Sequence, residues 1–439
     1  MAILNKEGLQ QSCLEASQRE FLKKIRQYDE QMRPIMKARG YTYIQSMERT
    51  VAFVSVGEVR FKRRRYRKNG EWSTPVDEAL GLKKNSRYSE EMIQMIAKCA
   101  LEMSYAKTAK LISEIYGISL SSTTVNKVIR EYHDVIEQQK DYRFFKENNS
   151  QKRHVPVIYI EGDGVMLKAK KGDLNSRRVD LSHFVVHEGV KKGRGKRLDL
   201  KQKHEVISFS SKEARRKVLD YLSETYEITK DTLLITNSDG GHGYTPYVFK
   251  ELAKALKVKR HEHFYDGYHV TQMLKQAFKS SGKDLLEQSF KAIHTHDKQE
   301  LREVFEQAER LNKEVIDEGF LSIKNKLLNN FQYTKPAHLR GLEKRGIGVM
   351  ESQHRKITYR MKRRGMYWTK NGIETISQLI LFADEKKLDD FFSGKWREEY
   401  EKFQALDELS ADHFKGAFHE AHTLPKARQD PYVSYKYYR

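Results

Sequence analysis

The sequence predicts a mixed α/β protein with helices ahead of its sheet strands and a long helical stretch after them. Three observations carry that reading. Val155-Pro156-Val157-Ile158-Tyr159-Ile160 is a buried-strand pattern, and β-like runs at 179–187 and 204–210 follow it. A helix at about 212–225, a strand at 232–236, a helix at about 246–256 and a strand near 263–265 then alternate, as layered α/β units do. From Val270 to about Arg345 the spacing is helical throughout, and Pro336 alone interrupts residues 247–424.

Taken in order, residues 14–39 have helical spacing. Residues 50–67 alternate in a strand-like way, with Phe53, Val59 and Phe61 among polar neighbours, and Asn69-Gly70 supplies a hairpin turn. The basic run from Arg60 to Arg67 places Arg63, Arg64 and Arg65 beside aromatics on that strand. Such a run grips a phosphate backbone or guards a sheet edge against aggregation, and both readings stay open.

Residues 88–133 are helical. Ala109, Ile112, Ile115 and Tyr116 keep the spacing up to Gly117, a breaker, and Ser121-Ser122-Thr123 offers a cap for a second helix with Val125, Val128 and Ile129. Together they suggest a helix-turn-helix whose second helix, bearing Lys127 and Arg130, enters a major groove; a plain helical hairpin has the same pattern. The pattern divides the chain into 1–87 (helix and basic hairpin), 88–150 (helix-turn-helix-like), 151–269 (mixed α/β), 270–345 (helical), 346–394 (further helical segments) and 395–439, a polar, tyrosine-rich tail without an assigned role.

Charge narrows the function classes. Lys and Arg number 82 against 60 Asp and Glu, a formal net charge of +22. Such an excess favours a polyanionic partner, because each phosphate neutralised releases counterions. The cations are spread along the chain rather than set on one amphipathic helix, and no apolar run of about 18 residues occurs, so a membrane is not the expected partner. With only Cys13 and Cys99 a disulfide framework is not expected, and a reducing cytoplasm fits.

Two acids stand out. Asp163, in Glu161-Gly162-Asp163-Gly164, is read as ending the strand at 155–160, and Asp239, in Ser238-Asp239-Gly240-Gly241, as ending the strand at 232–236. Flanking glycines permit tight turns and close approach of a backbone or ligand. If the two strands lie side by side, the carboxylates converge as hard oxygen ligands suited to magnesium or manganese. Asp-Gly is also a common turn dipeptide, so either residue alone is ambiguous. Spacing does not select a third acid: Glu343, Glu351 and Glu374 compete. His261, His263 and His269 lack nearby cysteines, which argues against zinc.

The motifs Glu161-Gly162-Asp163-Gly164, Ser238-Asp239-Gly240-Gly241, Phe264-Tyr265-Asp266-Gly267-Tyr268-His269 and Met350-Glu351-Ser352, followed by Tyr359-Arg360-Met361-Lys362, together resemble the ISLre-type bacterial insertion-sequence transposases, and more distantly the Mutator-like ones. The resemblance runs from about Val51 to about Gly372. It implies a ribonuclease-H-like mixed sheet core, a helical insertion between the second and third acids, and an Asp–Asp–Glu triad of Asp163, Asp239 and Glu351 holding two Mg2+ (or Mn2+) ions. His269 of Asp266-x-x-His269 would bind phosphate or orient the scissile strand, with Asp266 fixing its tautomer; a structural pair is the plainer reading.

The implied partners are DNA, as terminal inverted repeats and as target, and further copies of the chain in a dimer or larger multimer at the nucleoid. Arg355, Arg360, Lys362 and Arg363 beside Glu351 would clamp phosphates, and Trp368 would stack on an unpaired base or else sit in the core. A nuclease on the same core, or a helix-turn-helix regulator without catalysis, are the alternatives.

Overall fold

The computed structural model describes residues 6–147, 151–170, 177–195, 198–311, 317–362, 365–402 and 404–405. Helix α1 (Lys6–Ala38) lies along a small antiparallel sheet of β1 (Thr42–Phe53), β2 (Gly57–Lys68) and β3 (Glu71–Ser73). Residues 50–67 are thus not one strand. Phe53 pairs with Gly57 across a turn at 54–56, which the alternation of apolar and polar residues runs straight through. The turn at Asn69-Gly70 joins β2 to β3, both residues having positive φ (48° and 89°), the conformation that a two-residue hairpin needs.

After α2 (Pro75–Ala79), three helices follow: α3 (Glu90–Glu102), α4 (Tyr105–Tyr116) and α5 (Ser122–Glu147). Ser89 and Ser104 cap the first two by accepting from Met92 and Lys107 backbone N–H groups, and Gly117 at φ 62° ends α4. Ser121 Oγ accepts from Thr124 N at the start of α5.

The central sheet contains β4 (Val157–Lys168), β5 (Arg178–His187), β8 (His204–Ser208), β9 (Leu233–Ser238) and β10 (Arg260–Tyr265), while β6 (Val190–Lys192) and β7 (Leu198–Leu200) form a separate hairpin. Its order is β10-β9-β4-β5-β8, with β4, β9 and β10 parallel and β5 antiparallel to both neighbours. Helices α6 (Ser211–Thr225) and α7 (Pro246–Ala255) cover one face, burying Val218, Leu222 and Phe249 against Ile158, Ile160 and Phe184. The other face meets α12 (Met350–Met361) and α13 (Lys370–Asp384), described with the final helices below.

Helices α8 (Gly267–Ala277), α9 (Lys283–Thr295), α10 (Lys298–Leu311) and α11 (Glu318–Asn329) enclose a core of their own around Leu274, Phe278, Phe305 and Leu327. Regular α-helix stops at Asn329, short of Arg345; two single 3-10 turns, at Phe331–Thr334 and Ala337–Arg340, follow around Pro336. Helices α12, α13 and α14 (Leu388–Ser393) then return to the sheet. One continuous apolar core joins Ile96, Ile112, Val125 and Ile129 of α3–α5 to Ile357, Ile376 and Leu379 of α12–α13 and to Val165, Leu167 and Leu181 of the sheet. The three-helix segment is therefore built onto the sheet. Among the described residues, no helix is long and apolar enough to cross a membrane.

Candidate active site

Asp163 lies within β4, not at its end, because the strand runs on to Lys168. Of the two uses open to the glycines beside it, a tight turn or a close approach, the structure takes the second. A Cβ on Gly162 would stand 2.5 Å from the Phe184 ring, and one on Gly164 would overlap the Asp180 carboxylate, both side chains coming from β5. Asp239 directly follows β9. Parallel pairing of β4 with β9 sets Gly162 opposite Ser238, so Asp163 and Asp239 are the next residues along two adjacent strands.

Burial and the Asp239 charge push the Asp163 carboxyl up to about 7, opposed by the Gly164 N–H, which donates to Oδ1 at 2.7 Å. Asp180 is also raised, by burial and by Asp239. Asp239 accepts from Gly241 N through Oδ1 at 2.7 Å, and its carbonyl accepts from Lys326 of α11 at 3.0 Å. The helical unit is thereby tied to the second acid.

Two imidazoles flank Asp163 Oδ2: His269 Nε2 at 3.9 Å and His354 Nδ1 at 3.6 Å. Asp266 does not fix the His269 tautomer. Its Oδ1 accepts the backbone N–H groups of Tyr268 and His269 and so caps α8. His354 stacks on His183 (centroids 5.1 Å apart), and His183 Nε2 is 3.0 Å from Glu205 Oε2. Burial lowers both histidines, His354 down to about 3, while against its own burial Glu205 is held below the usual carboxylate range, first by the His183 hydrogen bond and then by Lys356 and Lys203.

Glu351 occupies the exposed first turn of α12, three residues before His354 and so on a neighbouring part of the helix surface. A second carboxylate positions that turn. Glu161, two residues before Asp163 on the same face of β4, is 2% exposed and accepts from the N–H groups of Gly348 (2.6 Å), Val349 (2.8 Å) and Met350 (3.0 Å). Burial pushes its carboxyl up to about 8, against those three donors. Among the described residues no three His, Cys, Asp or Glu side chains are grouped closely enough to hold a metal ion; Asp163 and Asp239 are the carboxylates that the sheet brings together.

Several expected DNA contacts are spent inside the protein. Trp368 is 5% exposed and donates Nε1–H to Met361 O, so it is a core residue and not a base-stacking surface. Arg360 is 1% exposed; Nε donates to Ala100 O, and the guanidinium lies 5.0 Å from the Trp368 ring centroid. Arg63 pairs with Asp77, Arg64 with Asp29 and Glu30, and Arg65 stacks 3.7 Å over Trp72. Lys127, Arg130, Arg355 and Lys362 are exposed. Arg363 lies outside the described residues. The sequence reading gave no role to Glu161, His183, Asp180 or Glu205. The alternation of Glu161 with Asp163 on one strand face was its available sign for the first.

The pattern of UPF0236, an uncharacterised protein family, matches residues 5–399. The chain belongs to that family. A UPF0236 protein encoded in the vanSb 3′ region of Streptococcus gallolyticus is 30% identical over 398 residues, covering 89% of this chain and 84% of that one. A UPF0236 protein of Caldanaerobacter subterraneus subsp. tengcongensis, whose name strings together 11 locus designations, is 23% identical over 335 residues (75% of this chain, 66% of that one). Among solved structures, the Drosophila P element transposase strand transfer complex aligns over 72% of this chain and 84% of that one, with 11% identity and a TM-score of 0.25. The Mos1 strand transfer complex aligns over 55% and 80%, with 9% identity and a TM-score of 0.13. Scores this low carry no argument about fold or activity.

Proposed function

We propose that this UPF0236 protein is a DNA transposase with Asp163, Asp239 and Glu351 as its acidic triad. The observation that carries the proposal is the convergence of Asp163 and Asp239 on adjacent parallel strands of a mixed sheet in a chain of net charge +22. The sheet order, with three antiparallel strands first and two parallel strands added beside the first of them, is the one expected of a ribonuclease-H-like core. The 11 locus designations of one relative agree with a gene that copies itself within a genome.

Asp163 and Asp239 are oxygen donors whose chemistry suits Mg2+ or Mn2+, and a bound cation would relieve the part of the Asp163 shift that the Asp239 charge adds to burial; among the described residues Glu351 is not grouped with them. When bound, two such ions supply the charge that activates a water or 3′-hydroxyl and steadies the leaving oxygen of a phosphodiester. The protein's own part is placement. Asp163 is fixed within a strand, Asp239 is held by the Gly241 N–H, and Glu351 is set by the Glu161 tie at the start of α12. Exposed Arg355 and Lys362 on and just after α12 bind the phosphates of the element end, and His269 orients the scissile strand.

The test uses the full chain, Mg2+ and duplexes carrying the ends of the encoding element. Asp163→Asn, Asp239→Asn and Glu351→Gln each lower cleavage at least 100-fold while end binding stays within about threefold. Full cleavage by any one of them removes that residue from the triad. Joining of pre-cut 3′ ends to a target plasmid separates transposase from nuclease. Specific end binding without any cleavage returns the chain to a regulator.

A further inference from the structure

A cleft of about 850 Å³ lies between the outer face of α5 and the segment 366–372 that leads into α13. Thr123, Asn126 and Arg130 of α5 line one side, and Tyr367, Lys370 and Lys170 line the other. No carboxylate is among its described lining residues. The segment is fixed in place: Trp368 N donates to Lys168 O at 3.0 Å and Lys170 N donates to Trp368 O at 2.9 Å, so it pairs with the continuation of β4. Tyr367 remains 55% exposed beside the cleft.

This arrangement conflicts with insertion of α5 into a major groove. A helix fills a groove about 12 Å wide only if its outward side stands clear of the rest of the protein. Here the side of α5 that bears Thr123, Asn126 and Arg130 is one wall of a cleft, faced by a segment hydrogen-bonded to the sheet. We infer that the cleft seats a single unpaired polynucleotide strand, with phosphates on Arg130, Lys170 and Lys370 and a base stacked on Tyr367. Three separate cations along a channel suit a chain of phosphates, and an exposed aromatic at its edge accepts any base by its flat face. The strand β4 runs from Asp163 to Lys168 and on to Lys170, roughly 23 Å at about 3.3 Å per residue, so the cleft is separate from the two aspartates. The inference rests on the polynucleotide reading above and adds the strandedness and seat of the ligand.

The experiment measures binding of the full chain, in EDTA, to a fluorescein-labelled 12-residue oligothymidylate and to a duplex of equal length, across a salt series. The triple variant Arg130→Gln/Lys170→Gln/Lys370→Gln weakens oligothymidylate binding at least tenfold and makes the log–log salt slope shallower by about 2, since each lost single-strand phosphate contact removes about 0.7. Tyr367→Ala weakens binding at least fivefold with the slope unchanged, and Tyr367→Phe restores it. Binding by both variants within twofold of the parent overturns the inference. So does loss of duplex binding equal to loss of oligothymidylate binding, or displacement of the oligomer by inorganic phosphate beyond that by chloride at equal ionic strength. Asp163→Asn keeps oligothymidylate binding. Strand binding through the cleft in a chain that never cleaves overturns the transposase reading alone, whereas cleavage with oligothymidylate binding unmoved in the cleft variants overturns this inference alone.

Discussion

At Asp163 one carboxyl carries two opposed demands. A buried acid beside a second acid gains stability by staying protonated, while metal binding requires it ionised. Its pKa rises from 3.8 to about 7 on folding. The stability associated with its neutral form is therefore complete below about pH 4 and is lost as pH climbs through about 7. Asp163→Asn removes that loss. In EDTA the variant should be more stable than the parent at pH 8, by on the order of 1–2 kcal/mol once partial solvent screening is allowed for, and equal to it at pH 4. Urea denaturation at both pH values checks this, and equal stability at pH 8 refutes it. Gly162 makes a steric argument at the same scale. A methyl there meets Phe184 at 2.5 Å, so Gly162→Ala should cost about 1–3 kcal/mol, much of it regained with Phe184→Leu in a thermal-melt cycle.

Among the elements, β4 and α12 are joined by Glu161. Three backbone N–H groups at a helix start have no partners within their own helix, and the two oxygens of a buried carboxyl group accept all three here. Glutamine keeps the shape but turns an N–H2 donor toward backbone donors. Glu161→Gln should therefore lower stability by about 1–3 kcal/mol and loosen the turn that bears Glu351. Single-turnover cleavage is expected to fall at least tenfold while affinity for element ends moves less than twofold. An equal loss in both would make Glu161 a general fold determinant. The same scale explains the arginine readings. Arg64 of β2 is taken up by Asp29 and Glu30 of α1, so that this stretch of the basic strand fastens a helix.

Across the whole molecule, the sheet, α12 and α13 meet in an ionic cluster built around the buried Glu205. Glu205 of β8 accepts from His183 of β5, from Lys203 (2.8 Å) and from Lys356 of α12, while Asp384 of α13 pairs with both lysines. Glu205 and Asp384 are both held below their usual range by these partners. Their contribution is present above about pH 4.5 and is lost as pH falls below it. Glu205→Gln should destabilise the protein at pH 7 by on the order of 1–3 kcal/mol, since it leaves Asp384 as the anion shared by two partly buried ammonium groups. It should also flatten the acid limb of the stability profile between pH 5 and 3. Thermal melts across that range decide it; a parallel shift with an unchanged acid limb would place the acid sensitivity elsewhere.

Most local elements were legible in the sequence by itself: the helices and longer strands of residues 155–265, though neither the continuation of β4 to Lys168 nor the β6–β7 hairpin, together with the Asn69-Gly70 turn, the Gly117 break and the caps around it. These depend on period, propensity and neighbours a few residues away, all present in the string. It also marked Asp163 and Asp239 as unusual and left the glycines of β4 either a turn or a close approach; the structure takes the second, making room for Phe184 and Asp180. Tertiary structure alone decided that the two acids stand side by side, that Glu161 ties the start of α12, that Trp368 and Arg360 are core, and that the outer face of α5 is the wall of a cleft. The physical reason is common to all four. A charge or a ring has the same letter whether it meets water or a partner hundreds of residues away, and packing makes that choice.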